Sequence, residues 1–236
     1  MRPERLLLAL LVLLLAIPGH VAAEETAAVH ILKVAAPIAP GVAGFVADAL
    51  EAADREKAAC IVIQLDTPGG LAESMRQIVT KILATRTPVI VFVAPSGARA
   101  ASAGVMITMA ADIAAMAPGT NIGAAHPVGA GGKDIDETMS EKVVNDMVAQ
   151  ARSVAQQRGR NADWGEEAIR DSVSITETEA LRENVIDLVA DDLDALLTLL
   201  DGRKVKGKST LALKDAPRKM VAEGLRTKVL RAISDP

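Results

Sequence analysis

The chain has 236 residues, 50% of them hydrophobic and 24% charged, with a formal net charge of −4. Those proportions suit a globular protein that buries a core of its own, and they exclude a disordered chain. With two Phe, one Trp, no Tyr and no basic excess, the sequence also argues against nucleic-acid binding, which needs stacking platforms or a cationic footprint.

Residues 1–23 read as a segment apart. "MRPER" is a short basic start, residues 6–17 are an uncharged apolar run, Pro18 and Gly19 break it, and "VAA" precedes Glu24. This is the three-part plan of a secretory signal peptide. The run is short of the ~20 residues of a transmembrane helix, although an uncleaved N-terminal anchor is the alternative. Either way the body of the protein, expected over residues 24–202, is delivered to the outer side of a membrane, extracytoplasmic or periplasmic.

Elements alternate from there. "AVHILKVAAPI" (28–38) reads as a strand, and "PGVAGFVADALEAADREK" (40–57) as a helix opened by Pro. "ACIVIQL" and "PVIVFVA" (88–94) are β-branched runs typical of buried parallel strands. "LAESMRQIVTKILAT" (71–85) between them is an amphipathic helix, "SAGVMITMAA" (102–111) a further helix and "DIAAMAP" (112–118) a short strand. "VGAGGKDIDE" (128–137) has no periodicity and reads as a loop, so residues 127–137 are expected to close over a ligand. A long helix (138–159) ends at Gly159, "WGEEAIRDS" is a short helix, and Thr176 with Glu179 forms a capping-box pattern. "VIDLVA" is expected to be the last strand, the helix "DDLDALLTLLDG" ends at Gly202, and 203–236 reads as a basic tail. The alternation predicts an α/β fold, a mostly parallel sheet flanked by helices on both faces.

Three places carry candidate chemistry. In "LDTPGG" (65–70) a strand ends in a Gly-rich turn before a helix, which exposes backbone N–H groups able to hold an oxyanion. In "RAASAGVMITMA" (99–110), Ser102 opens a helix; it is either an N-cap or a nucleophile with the Ala103 N–H beside its target. A serine nucleophile needs a base. Lys142, early on the long helix, serves only if its ammonium is desolvated, since a free lysine titrates near ~10.4. His126 titrates near neutrality unaided, and Asp171 is the candidate to orient it as a triad. Small neighbours at Gly69, Ala101 and Gly104 let a substrate backbone approach. One cysteine, Cys60, lies within an apolar run, and with only two His after the leader no metal site is expected.

"LDTPGG", "PSGARAASAG", "AAMAPGTNIGAAHPV", "RGRN" and "SITETEALRENVIDLVA", in this order and spacing, closely resemble the N-terminal protease domain of the NfeD family. These are membrane-bound serine proteases of the Clp protease/signal peptide peptidase A (crotonase-like) superfamily, also described as stomatin-operon proteases. The resemblance covers roughly residues 28–200. It implies a Ser-Lys dyad of Ser102 and Lys142, with Gly70 and Ala103 as oxyanion donors and no cofactor. It also implies a membrane-associated endopeptidase acting on apolar segments of membrane proteins, a stomatin-like partner among them, and assembly as a homodimer or larger ring. His126 with Asp171 resembles the Ser-His-Asp triad of the Clp protease subunit, so the base stays open between Lys142 and His126, with the family spacing favouring Lys142. Longer family members continue into membrane helices and a small β-barrel domain where this sequence stops at "RAISDP".

Two other functions fit parts of the pattern. An acyl-thioester hydratase on the same fold uses the same oxyanion trap, but its chemistry is intracellular and the leader argues against it. A non-catalytic scaffold binding a stomatin-like protein would leave Ser102 as a cap.

Overall fold

The computed structural model describes residues 27–127 and 137–224. In chain order the elements are β1 (Val29–Ala35), α1 (Pro40–Arg55), β2 (Cys60–Asp66), α2 (Ala72–Ala84), β3 (Val89–Val93), β4 (Arg99–Ala101), α3 (Ala103–Ala110), β5 (Ile113–Met116), β6 (Asn121–Gly123), α4 (Glu137–Arg158), α5 (Ala162–Arg170), β7 (Ser174–Thr176), α6 (Glu177–Arg182), β8 (Leu188–Val189), α7 (Leu193–Leu200) and β9 (Arg218–Met220). The main sheet runs β8-β5-β3-β2-β1-β9 and is parallel throughout. A second, small sheet runs β4-β6-β7.

The β-branched runs form central strands because both of their faces are covered. Leu32, Val34, Ile61, Ile63, Leu65, Val89, Val91 and Val93 face a core shared with α1, α2 and α3. The alternate residues Val29, Ile31, Cys60, Val62, Ile90 and Phe92 face a second core under α7. This division follows from the two-residue period of a strand. Cys60 is fully buried and unpaired by any disulfide, and burial pushes its thiol up to about 12, so it is an inert core residue rather than a reactive one. No helix among the described residues is long and apolar enough to cross a membrane.

Two expectations change. Residues 203–220 are no trailing linker: Val205, Leu211, Leu213 and Ala216 are buried in the second core, and β9 pairs with β1 as an edge strand. Sparse apolar residues at irregular spacing hid this packing. β8 is therefore not the last strand. The expected closing loop lies, apart from its end residues 127 and 137, outside the described residues.

β9 is also tied down by charge. His30 on β1 is 1% exposed, with Nε2 3.2 Å from Oε2 of Glu56, the residue that C-caps α1; Lys219 on β9 bonds the same oxygen. Burial holds the His30 imidazole below 6.5, outweighing the Glu56 carboxylate that pulls the other way, with Lys219 adding to the decrease. Above 6.5 the folded and unfolded chains both carry neutral imidazole. As pH falls through 6.5 the unfolded chain takes up the proton first, so this group's contribution to stability is lost on acidification. Urea unfolding between about pH 7 and pH 5 is expected to show a steeper loss of stability for the wild type than for His30→Gln. Equal slopes would remove His30 as the cause.

Candidate active site

The site forms where α/β sheets gather their ligands, past the carboxyl ends of parallel strands. After β2 the chain runs through Thr67 into Pro68, Gly69 and Gly70. Thr67 pairs by a single parallel bridge with Ala100: its N–H donates to the Arg99 carbonyl at 2.8 Å, and its carbonyl accepts from Ala101 N–H at 3.1 Å. Ile38 pairs in the same manner with Gly70. The Ile38 N–H donates to the Gly69 carbonyl at 2.7 Å, and the Ile38 carbonyl accepts from Leu71 N–H at 2.9 Å. In a parallel pairing the residue between the two bonded neighbours points its own N–H and C=O the other way. The Gly70 N–H is thus turned outward and donates to no carbonyl among the described residues.

β4 delivers Ser102. Its N–H donates to the Gly123 carbonyl at 2.9 Å, which fixes it to the end of β6. The backbone at Ser102 has φ 52° and ψ −112°, outside every well that a residue with a Cβ prefers. Ser102 occupies the N-cap position of α3, yet its hydroxyl accepts no hydrogen bond from the helix. N-caps sit in the extended region and use their side-chain oxygen on the N2 or N3 amide. The expected competition between cap and nucleophile is therefore resolved locally: Ser102 is not a cap. A strained strand–serine–helix turn is the geometry of a nucleophile elbow, in which the hydroxyl is thrust out and the next amide faces its target. That next amide, of Ala103, is one of the helix's first orphan donors and has no carbonyl partner among the described residues.

The predicted substrate-contact residues divide. Gly69 lies against Ser102: a Cβ there would lie 2.6 Å from Ser102 Cβ and 3.1 Å from its Oγ. Ala101 is the last residue of β4 and half-buried. Gly104 is buried and opens onto the fold, since a Cβ there would meet Thr67 Cγ2 at 2.8 Å and Ala100 Cβ at 3.3 Å. Its smallness admits Thr67 and not a substrate.

The two candidate bases differ. His126 follows β6, half-buried, with Nδ1 2.9 Å from the Ile169 carbonyl oxygen. A carbonyl only accepts, so Nδ1 carries the proton and Nε2 is the basic nitrogen. Asp171 is exposed at the C-cap of α5 and does not take the orienting place expected of a triad carboxylate; the Ile169 carbonyl has it. Lys142 lies on α4, which packs against α3. Its side chain is exposed and makes no ion pair among the described residues, while Asp146, one turn on, is engaged by Arg76 at 2.7 Å. The dry cleft expected around this lysine is not provided by the described residues. Among them, no group of three or more His, Cys, Asp or Glu is arranged to hold a metal ion.

The far end of α3 holds residues that the sequence flagged without a role. All eight residues of the helix are buried. Its last carbonyls are met by the two arginines of "RGRN". Arg158 Nε donates to Ala110 O at 2.7 Å, and Arg160 Nη1 donates to Met109 O and Ala111 O at 3.0 and 2.9 Å. Arg158 also pairs with Asp112 and Arg160 with Asp187, both at 2.6 Å. Cations at the carboxyl end of a helix complement its dipole. Gly159, at φ 72°, makes the turn between the two arginines, and the Asn161 side chain caps α5.

The family model of the NfeD1b N-terminal domain matches residues 28–197. The chain belongs to this family. It is 40% identical over 192 residues to the membrane-bound protease PH1510 of Pyrococcus horikoshii, covering 78% of this chain and 43% of that protein. It is 28% identical over 170 residues to the membrane protein NfeD1b of Bacillus subtilis, covering 72% and 37%. The chain thus spans less than half the length of these relatives. Among solved structures, the 1510-N membrane-bound stomatin-specific protease, as a lysine-to-alanine variant in complex with a substrate peptide, matches with a TM-score of 0.79 at 33% identity, covering 89% of this chain and 99% of that one. A serine-to-alanine variant matches at 0.76 and 34%, covering 84% and 99%. ClpP1 from Listeria monocytogenes, at 0.57 and 19% identity over 70% of this chain and 94% of that one, shares the fold. The predicted crotonase/Clp-protease-like architecture is the observed one.

Arg160 is 6% exposed and serves both the helix carbonyls and Asp187. Arg160→Met is expected to lower stability by about 2–4 kcal/mol, because it leaves two buried carbonyls without their donor and Asp187 without its near cation, Arg203 standing off at 3.8 Å. Urea unfolding of the variant measures this, and a loss below about 1 kcal/mol would show that the network relaxes around the vacancy.

Proposed function

We propose that this domain is a membrane-associated, extracytoplasmic serine endopeptidase in which Ser102 is the nucleophile, Lys142 its base, and the amides of Gly70 and Ala103 the oxyanion hole. The observation that carries the reading is the Ser102 turn: a strained serine whose hydroxyl is withheld from capping, flanked by Gly69, with two unpartnered amides nearby in the chain. The serine attacks the scissile carbonyl, the base takes the hydroxyl proton and later passes it to the leaving amine, and the two amides hold the developing negative charge. The leader-like residues 1–23 and the membrane-bound relative support the location.

An apolar polypeptide is the substrate that fits best. Leu71, next to Gly70, is 55% exposed, and Met139, on the first turn of α4 ahead of Lys142, is 53% exposed. The relative solved as a protease specific for a stomatin homologue supports a stomatin-like protein as the physiological partner. An apolar chain settling over Met139 would strip water from the exposed Lys142 one turn on, which is what a lysine base requires.

Cleavage of an apolar membrane-proximal peptide separates the readings. Ser102→Ala is expected to lower kcat by a factor on the order of 10⁶, and Lys142→Ala by a similar factor if the pair acts as a unit. Wild-type rates in Lys142→Ala together with inactive His126→Ala would transfer the base to histidine. Cleavage that survives Ser102→Ala would end the serine mechanism, and peptide bound but uncut by the wild type would favour the scaffold.

A further inference from the structure

Thr67 has no part in the site as described so far, yet its side chain reaches both the Gly69 turn and the start of α3. It is fully buried, at 0% exposure. Its Oγ1 accepts from the Gly69 N–H at 3.1 Å and donates to the Gly69 carbonyl, also at 3.1 Å. Its backbone pairs with β4 on either side of Ala100, two residues before Ser102. Its Cγ2 occupies the space that the absent Gly104 side chain leaves at the start of α3.

The bond to the Gly69 carbonyl has a consequence for Gly70. The Gly69 C=O and the Gly70 N–H belong to one planar trans peptide unit, so they point in opposite directions. Whatever holds the carbonyl aims the amide. A peptide between two glycines is little restrained by side chains, and both residues have positive φ, 113° at Gly69 and 156° at Gly70. Two donors hold this carbonyl: Ile38 N–H at 2.7 Å and the Thr67 hydroxyl. The first comes from the loop before α1, the second from the strand end that also leads, through β4, to the nucleophile. Only the second ties the direction of the Gly70 amide to the position of Ser102.

We infer that Thr67 is a positioning residue of the oxyanion arm: its hydroxyl locks the Gly69–Gly70 peptide so that the Gly70 N–H faces the carbonyl attacked by Ser102. This deepens the protease reading and rests on it. A hydroxyl is required because the site needs an acceptor for the Gly69 N–H and a donor to its carbonyl at the same atom. Valine copies the shape without either function. Serine supplies both and lacks only the methyl against Gly104.

The test compares wild type, Thr67→Val, Thr67→Ser and Thr67→Ala on an apolar fluorogenic peptide, with a thermal melt of each. In Thr67→Val, kcat is expected to fall on the order of 10²-fold with KM held within about threefold, since the amide acts on the transition state rather than on the bound peptide. Thr67→Ser is expected to keep kcat within about fivefold of wild type, because it retains the hydroxyl. Where Thr67→Val does not fold at the assay temperature, Thr67→Ala against Thr67→Ser decides. Both lack the methyl, so a large gap in kcat between them supports the inference and equal kcat overturns it. A folded Thr67→Val with wild-type kcat also overturns it, as does Thr67→Ser as impaired as Thr67→Ala. A wild type that cuts no peptide fails earlier and sinks the protease reading itself, which sets that failure apart from the failure of Thr67.

Discussion

Ser102 is held at φ 52° and ψ −112°, a conformation that costs a residue with a Cβ on the order of 1–3 kcal/mol. Such strain persists only where the surroundings over-determine it, and here they do. The Ser102 N–H is fixed by Gly123, the preceding β4 is paired on one side to Thr67 and on the other to β6, and the following helix is buried along its whole length. Neither neighbour of the serine is free to relax. The strain also has a chemical result. A serine in the extended region would turn its hydroxyl back onto the N2 or N3 amide as a cap; this hydroxyl accepts no such bond.

The small sheet exists to hold that turn, and it is built by close approach rather than by bulk. β6 carries Gly123, where a Cβ would come within 2.2 Å of the Val173 carbonyl, so β7 can pair with it only because no side chain is there. The opposite end of α3 poses the reverse problem. Eight buried residues leave carbonyls with no water to satisfy them, and Arg158 and Arg160 fill that need from the end of α4 and the turn beyond it. Burial works against the charge on Arg160 and the Asp187 carboxylate works for it. The nucleophile helix is thereby fixed at both ends: strand pairing at its amino end, guanidinium bonds at its carboxyl end.

Much of this was legible in the residues. The β-branched runs gave the central strands, Pro and Gly marked the helix ends, and the Thr176–Glu179 capping box forms as its pattern predicted. Taken alone, the turn "PGG" fits a plain strand-to-helix connection and the serine of "ASAG" a helix cap; their order and spacing with the other motifs single them out. The three-residue strands β4, β6 and β7 escaped, since their pairing is set by tertiary contacts and leaves no alternation to read. Thr67 escaped for a related reason. A threonine at a strand end is ordinary until its hydroxyl is seen on a glycine peptide. The segment 203–220 was misread as a tail because four well-separated apolar residues carry no period. The Asp171 assignment failed on direction: the main-chain carbonyl of Ile169, invisible to any motif, reaches His126 Nδ1 instead.

That last substitution bears on the base. A histidine that takes a proton in a Ser-His-Asp triad is stabilised as imidazolium by the carboxylate behind it. At His126 a neutral main-chain carbonyl orients the ring in place of that carboxylate. Lys142 presents the converse. It makes no ion pair among the described residues, its neighbour Asp146 being taken by Arg76. What a lysine base needs is removal of water, and an exposed side chain near exposed Met139 receives that from whatever apolar chain settles there. On the proposed Ser-Lys reading the substrate would complete the catalyst: an apolar segment would shield the amine from water, and a polar one would leave it hydrated. Selectivity for apolar polypeptides then arises in the proton-transfer step itself, with no enclosed pocket required to enforce it.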